Sequence, residues 1–340
     1  MLNAAYRAAG SGWWIDTEDP QALQDIIARG NTPEVVKCLA NFGGLYDMGD
    51  NKILAAAPGS VGSKLKVAFA LNRHDTIGVD CVAVAVNDIS CYGVKPMFFL
   101  DYIGTNKIYP DRLSFIFDGL SRGCRQSGLA LIGGKNTEVP GFYKTDEYDL
   151  FGFAVGVVDK DKLVDGSAIK AGDVLIGLGS NGVHSSGFGL IRKLFSLDAV
   201  ALNIFVDSLG SNLGDELLKP TRIYSSTIQS LTRRFPIHGI CHINEGGLTN
   251  NIPRILPDGL QAHIQLGSWV IPPVYEIIRA ANKTPMIDLF DSFNMGLGLV
   301  ICVPSDCADA VVRCARELDE DATIIGEVAR DSDEGVVYYE

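Results

Sequence analysis

Short apolar runs that end in glycine-rich turns recur along this chain, and several lead into helical patterns. Strands mixed with helices throughout argue for an α/β or α+β fold. Pro96–Ile103 reads as a strand, aromatic and bounded by Pro and Gly. Between Arg112 and Ser127 the apolar residues fall at helical spacing, with Gly128 as the stop. Leu129–Ile132 reads as a buried strand running into Gly133-Gly134, and Asp149–Val158 as a further strand. Val79–Val86 fits either a strand or a buried helix by pattern. Val174–Gly179 reads as a strand, and a helix begins in Gly187–Phe195. The same strand, turn and helix order returns at 237–255 and near 296–316. Near the start, Asp19–Ala28 resembles a helix opening with acids in its first turn. Trp13 and Trp14 either cover a partner surface or pack the N-terminal segment.

The chain has 340 residues, which at roughly 150 per domain suggests two. The charged, turn-rich segment 159–173 is the expected boundary, giving units 1–165 and 166–340. A net charge of −12 disfavours general nucleic-acid binding, which needs a basic face to displace counterions. It leaves room for a local basic pocket. No apolar run approaches the ~20 residues of a membrane span, and the first residues lack the order of a signal peptide. No cysteines form Cys-x-x-Cys, so the eight thiols are expected to be free and the protein cytoplasmic. His238 and His242 lie four apart among isoleucines and read as structural residues of a buried strand rather than zinc ligands.

Four glycine-rich segments read as turns: Pro58–Lys64, Gly133–Glu138, Gly179–Gly187 and Asn244–Gly247. Glycine brings backbone N–H groups close to a ligand, and a turn that opens a helix favours phosphate. Pro58–Lys64 is not a P-loop, because its glycine spacing is too short. No nucleophile elbow, HExxH helix or Rossmann fingerprint occurs. Four such turns holding Ser, Lys and His point to a phosphorylated small molecule.

Several stretches together are recognisable. They include Arg73–Asp80, Val86–Asp88, Gly93–Tyr102, Glu138–Tyr143, Tyr148–Val158, Ser180–Phe188, Leu218–Tyr224, Asn251–Arg254 and Phe293–Gly298. In this order they resemble the aminoimidazole ribonucleotide synthetase (phosphoribosylformylglycinamidine cyclo-ligase) family over about residues 40 to 330. The resemblance implies a homodimer in which strands of both N-terminal halves form a barrel, with an α/β C-terminal half completing a cleft. It implies ATP-dependent closure of formylglycinamidine ribonucleotide, by phosphorylation of its formyl oxygen, with Mg²⁺ on the triphosphate. It places the nucleotide on Ser60, Gly62, Ser63, Lys64, Asn87, Asp88, Gly133, Gly134 and Asn136. It places the phosphorylated substrate on Ser180, Asn181, Gly182, His184, Ser185, Gly246 and Gly247. His184, Lys64 and Lys135 are the expected catalytic groups, and Asp88 the expected metal ligand.

Three turns depart from the family pattern. Gly59 stands where the family has Asp, Lys135 where it has Glu, and Glu245 where it has Gly. Mg²⁺ needs carboxylate oxygens in octahedral geometry, so a weakened metal site is expected. One expectation is retained catalysis, with Lys135 acting as a fixed cation on the usual ribonucleotide or on another amide-type substrate. The other is a non-catalytic dimeric binding or regulatory protein in which Lys135 and Glu245 neutralise each other across the cleft.

Overall fold

The computed structural model describes residues 29–36, 42–331 and 335–340. The expected helix at Asp19–Ala28, Trp13, Trp14 and Cys38 lie outside the described residues.

Two sheets organise the described chain. The first takes β1 (Gly44–Gly49), β2 (Lys52–Ser60), β3 (Lys95–Thr105), β4 (Ala130–Glu138) and β5 (Tyr148–Asp159), in the order β1-β2-β5-β3-β4. It is antiparallel except for the β3–β4 pair. The helices of this half are α1 (Leu65–Leu71), α2 (Ile77–Ser90) and α3 (Pro110–Ser127). The second sheet has the order β13-β10-β12-β6-β11-β9. Its strands are β6 (Val174–Gly179), β9 (Gly239–His242), β10 (Leu260–Gln265), β11 (Leu297–Val303), β12 (Ala322–Arg330) and β13 (Gly335–Tyr339). A two-stranded pair, β7 (Phe205–Val206) and β8 (Ser211–Asn212), stands apart. Helices α4 (Phe188–Leu194), α5 (Ser225–Thr232), α6 (Pro273–Asn282) and α7 (Ala308–Glu317) accompany the second sheet.

The ambiguous run at 79–86 is helical, inside α2. Its alternating Val and Ala suit a strand, but the helix is buried on almost every side, with only Val84 partly open. It packs on β2 and β5 with one face and on α3 with another. The α2–α3 crossing is close: a Cβ on Gly78 would lie 2.3 Å from Leu120 N and 2.4 Å from Ile116 O. Helix α3 carries Pro110 in its first turn and Asp111 near its N-terminus, and ends on Gly128 in the left-handed region.

The segment Gly133–Glu138 is a strand, not a turn. It forms the outer part of β4, paired in parallel with β3 from Leu100 to Thr105. Nor is Leu129–Ile132 a buried strand, since β4 is an edge strand with mostly exposed residues. An edge strand has one partner only, so glycines and charged residues cost it little packing.

Strand alternation gives the first sheet two faces. Ile53, Ala55, Ala57, Phe99, Ile103, Leu150 and Ala154 point inward and are buried. The other face is open. Leu100 and Phe153 are paired across β3 and β5 and are 37% and 47% exposed. Met97 on β3 and Ile132 on β4 are 49% and 57% exposed. Among the described residues, no barrel closes within one chain. The two halves are joined by α5, which packs on α2, α3 and β3. Gln229 on α5 donates to the carbonyls of Gly93 and Val94, each at 3.0 Å.

Candidate active site

Lys64 ends the short 3-10 turn that leads into α1, and its side chain runs into the junction between the halves. Its ammonium donates to Asp80 Oδ1 at 2.9 Å, to the His184 carbonyl at 3.1 Å and to the Lys219 carbonyl at 2.7 Å. All three protons are used, and neither side chain of the Lys64–Asp80 pair is exposed. In this structure the Lys64 ammonium, expected to meet a nucleotide phosphate, spends its three protons within the protein. Burial lowers its pKa, opposed by the Asp80 charge.

Asp80 comes from the first turn of α2. Its Oδ1 also accepts from Ser185 Oγ, from the Thr221 N–H and from Thr221 Oγ1, at 3.1, 2.8 and 2.7 Å. One carboxylate oxygen thus ties the 3-10 turn Gly62–Lys64, the Gly179–Gly187 turn and the segment before α5 together; Pro58–Ser60, expected in a turn, end β2.

His184 sits in that second turn with φ of 57° and is buried. Its Nε2 accepts the N–H groups of Asn181 and Arg222 at 3.0 and 3.4 Å. The ring proton is therefore on Nδ1, which has no partner among the described residues. Burial drives the pKa well below the usual histidine value, helped by His242, Lys64 and Arg222. A neutral imidazole that accepts two backbone N–H groups fixes the turn. In this structure His184, an expected catalytic group, holds the turn through Nε2. Ser180 Oγ lies 2.9 Å from Gly182 O and 3.0 Å from Asn294 Oδ1, so it too is spent inside the turn.

A second cluster adjoins the first. Asp88, near the C-terminal end of α2, accepts from His242 Nδ1 at 2.7 Å and from Asn244 Nδ2 at 3.3 Å. Asn87 donates to Arg222 O at 2.8 Å, accepts from Tyr224 N at 3.0 Å, and lies 3.5 Å from His242 Nε2. Residue 222 therefore links the clusters, its N–H to His184 and its carbonyl to Asn87. The turn after His242 is held by Asn251, whose amide donates to the carbonyls of Glu245 and Gly247 at 2.9 and 2.8 Å. Gly246 and Gly247 both have positive φ there.

The altered positions do not gather. Gly59 lies in one cross-strand row with Gly152, Asp101 and Gly134 on the inner face. Lys135 lies in the next row, with Ser60, Phe151 and Tyr102, on the open face. Three strand spacings, roughly 14 Å, separate β2 from β4. The ion pairs among the described residues do not include Lys135 with Glu245.

A divalent metal does not fit these residues within one chain. Asp88 Oδ1 is engaged by His242 and Asn244, and Asp80 Oδ1 by four donors. No three of His, Cys, Asp and Glu come together as a metal cage among the described residues. At position 59 a Cβ would meet Cys81 O at 2.6 Å and Ala85 Cβ at 2.9 Å, so this backbone has no room for the carboxylate of the family pattern.

Asp80, Asp101, His242 and Asn244 are the residues that sequence reasoning missed. The signal for Asp80 was its place in the first turn of a helix. The signal for His242 and Asn244 was their position at the end of a strand, entering a glycine turn. Asp101 is buried with Oδ2 unpartnered among the described residues, and burial raises its pKa to about 6.

Comparison with known proteins settles the family. The pattern of the AIR synthase related protein N-terminal domain matches residues 41–158, and that of its C-terminal domain matches residues 170–339. The chain belongs to the AIR synthase family. It is 45% identical over 332 residues to the phosphoribosylformylglycinamidine cyclo-ligase of Acetivibrio thermocellus, covering 96% of this chain and 98% of that protein. It is 47% identical over 313 residues to the cyclo-ligase of Geotalea uraniireducens, covering 91% and 90%. In fold it is similar to the HypE–HypF complex structure, with a TM-score of 0.66 at 16% identity, covering 94% of this chain and 96% of that one. The seven cysteines among the described residues are free, and no described helix is long and apolar enough to cross a membrane.

Proposed function

We propose that this AIR synthase family chain is a phosphoribosylformylglycinamidine cyclo-ligase. The observation that carries this reading is near-full-length similarity, 45% identity over 96% of the chain, to proteins of that name. The reaction closes formylglycinamidine ribonucleotide to aminoimidazole ribonucleotide with consumption of ATP. The formyl oxygen attacks the terminal phosphorus and ADP departs. A substrate nitrogen then attacks the activated carbon, and the C–O bond breaks to release inorganic phosphate. Phosphorylation is needed because an amide-type oxygen is a poor leaving group. The protein contributes position and electrostatics.

The site is assigned to the junction of the two halves, where turns from both meet around Asp80. His242 Nδ1–H donates to Asp88 and holds the turn that follows β9. The two halves are assigned to residues 1–165 and 166–340, and the cytoplasm is the proposed location.

The proposed assembly is a homodimer formed through the open face of the first sheet. Leu100, Phe153, Met97 and Ile132 leave that face apolar, and a second copy would cover it. The alternative, a non-catalytic binder held by a Lys135–Glu245 pair, has no support in the ion pairs formed within one chain.

The test follows the oxygen. Substrate labelled with ¹⁸O in the formyl group is turned over with ATP, and the released phosphate is weighed by mass spectrometry. The reading expects the label in phosphate. Product formation with the label lost only to water would reject phosphorylation of that oxygen.

A further inference from the structure

A cavity of about 780 Å³, lined by no residue of either polar cluster, lies between the end of the first sheet and α4 of the second half. None of the residues expected to bind nucleotide or phosphate lines it. Its walls come from α1, the start of α3, the 145–147 loop and α4 with the residues that follow. Ligand sites commonly enclose about 300–1,000 Å³, so a nucleotide-sized molecule fits.

The lining divides by chemistry. Three cations face it, from Lys66, Arg112 and Arg192. Lys66 is paired with Glu147 at 2.8 Å, and Arg112 donates to the Asp146 carbonyl at 2.8 Å. Arg192 is exposed and forms no ion pair among the described residues. A guanidinium left free at a cavity mouth is suited to bidentate capture of a phosphate. Glu147 and the exposed Asn72 offer oxygens to hydroxyl donors. Phe69 and Leu197 supply an apolar wall for a ring.

His74 closes the inner side. It is held between Tyr148 Oη at 2.9 Å and Asn72 Oδ1 at 3.2 Å. Asn72 Oδ1 can only accept, so His74 donates from Nε2 and accepts the tyrosine proton on Nδ1. Burial, helped by the Arg112 charge, lowers its pKa to about 4, so the ring is neutral at physiological pH. Lys66 and Arg112 are paired with Glu147 and Asp146, so among the lining cations the unpaired charge offered to a ligand is that of Arg192.

We propose that this cavity binds the ribose 5-phosphate end of the ribonucleotide substrate, with Arg192 on the phosphate and Glu147 and Asn72 on ribose hydroxyls. The assignment deepens the cyclo-ligase reading and rests on it for the identity of the substrate. It also gives α4 a role, because the helix that follows the His184 turn then carries a substrate contact across the junction.

The experiment is equilibrium binding of ribose 5-phosphate to the full chain by titration calorimetry, with ribose and inorganic phosphate as separate probes. The proposal expects ribose 5-phosphate to bind more tightly than either part, and formylglycinamidine ribonucleotide to displace it. A charge-assisted hydrogen bond is worth enough that Arg192→Ala weakens binding about 10-fold or more, with Arg192→Lys recovering part. Arg233→Ala, an exposed arginine elsewhere, leaves binding unchanged. In turnover, Arg192→Ala raises KM for the ribonucleotide and leaves kcat within about 2-fold, the mark of uniform binding. Unchanged affinity in Arg192→Ala, or no displacement by the ribonucleotide, overturns the assignment. Binding that depends on Arg192 in a protein that makes no product would reject the cyclo-ligase reading and keep the cavity. Turnover with a KM indifferent to Arg192 would do the reverse.

Discussion

The ammonium of Lys64 and the carboxylate of Asp80 meet at 2.9 Å with neither side chain exposed. The pair joins the first glycine turn to the first turn of α2, and two backbone carbonyls complete the lysine's coordination. Removing one partner of a buried pair leaves the other charge unsolvated. Lys64→Met is therefore expected to lower unfolding stability by about 3–5 kcal/mol. Chemical denaturation measures this. A loss below about 1 kcal/mol would mean that the pair is solvated in solution.

Gly59→Asp tests whether the family carboxylate can be restored. A side chain there meets Cys81 O and Ala85 Cβ of α2. Overpacking a close contact typically costs about 1–3 kcal/mol, so the variant is expected to melt earlier and gain no Mg²⁺ affinity. Lys135→Glu, on the exposed edge strand, should shift stability by no more than about 0.5 kcal/mol. Tighter Mg²⁺ binding by Gly59→Asp at unchanged melting temperature would show that the backbone yields and the position is a true ligand site.

Two groups give stability opposite pH slopes. Asp101 is raised from 3.8 to about 6 by burial, so the folded state holds its proton longer than the unfolded chain does. Its contribution is full below about pH 4 and is lost as pH rises through about 6. His74 is lowered from 6.5 to about 4, so the folded state sheds that proton first and stability rises with pH over the same window. Asp101→Asn should remove the falling component. The unfolding free energy of the native protein minus that of the variant is expected to decline between pH 4 and 6 and level off above. A difference that is flat across this range would place Asp101 in contact with water.

Much of the fold is legible in the sequence where local chemistry and tertiary setting agree. The β3 run has aromatic residues between Pro and Gly, and α3 has its proline start and glycine stop, so both follow from their own residues. Segment 133–138 misled because its glycines imitate a turn, whereas an exposed edge strand tolerates them. The α2 run was ambiguous because burial on nearly all sides erases the polar face that marks a helix. The site was less legible. Lys64 and His184 were found as residue types in glycine turns, but their roles depend on Asp80 and on the N–H groups of Asn181 and Arg222. Those partners are remote in sequence or belong to the backbone. His242 was visible only as a buried strand residue, since nothing local shows that Asp88 lies beside it.

The open sheet face gives a direct test of assembly. Phe153→Asp with Leu100→Asp puts charge on the two paired residues of that face without touching the buried one. Sedimentation should show a folded monomer, against a dimer for the native chain. A dimer that persists in the double variant would move the interface elsewhere.

Catalysis by a chain whose glycine turns depart from the family pattern is directly measurable. The most direct measurement supplies formylglycinamidine ribonucleotide, ATP and Mg²⁺ to the purified protein and follows ADP and aminoimidazole ribonucleotide together. The account expects both products in equal amounts. Neither product from a folded protein would contradict it, and so would ADP released without the imidazole.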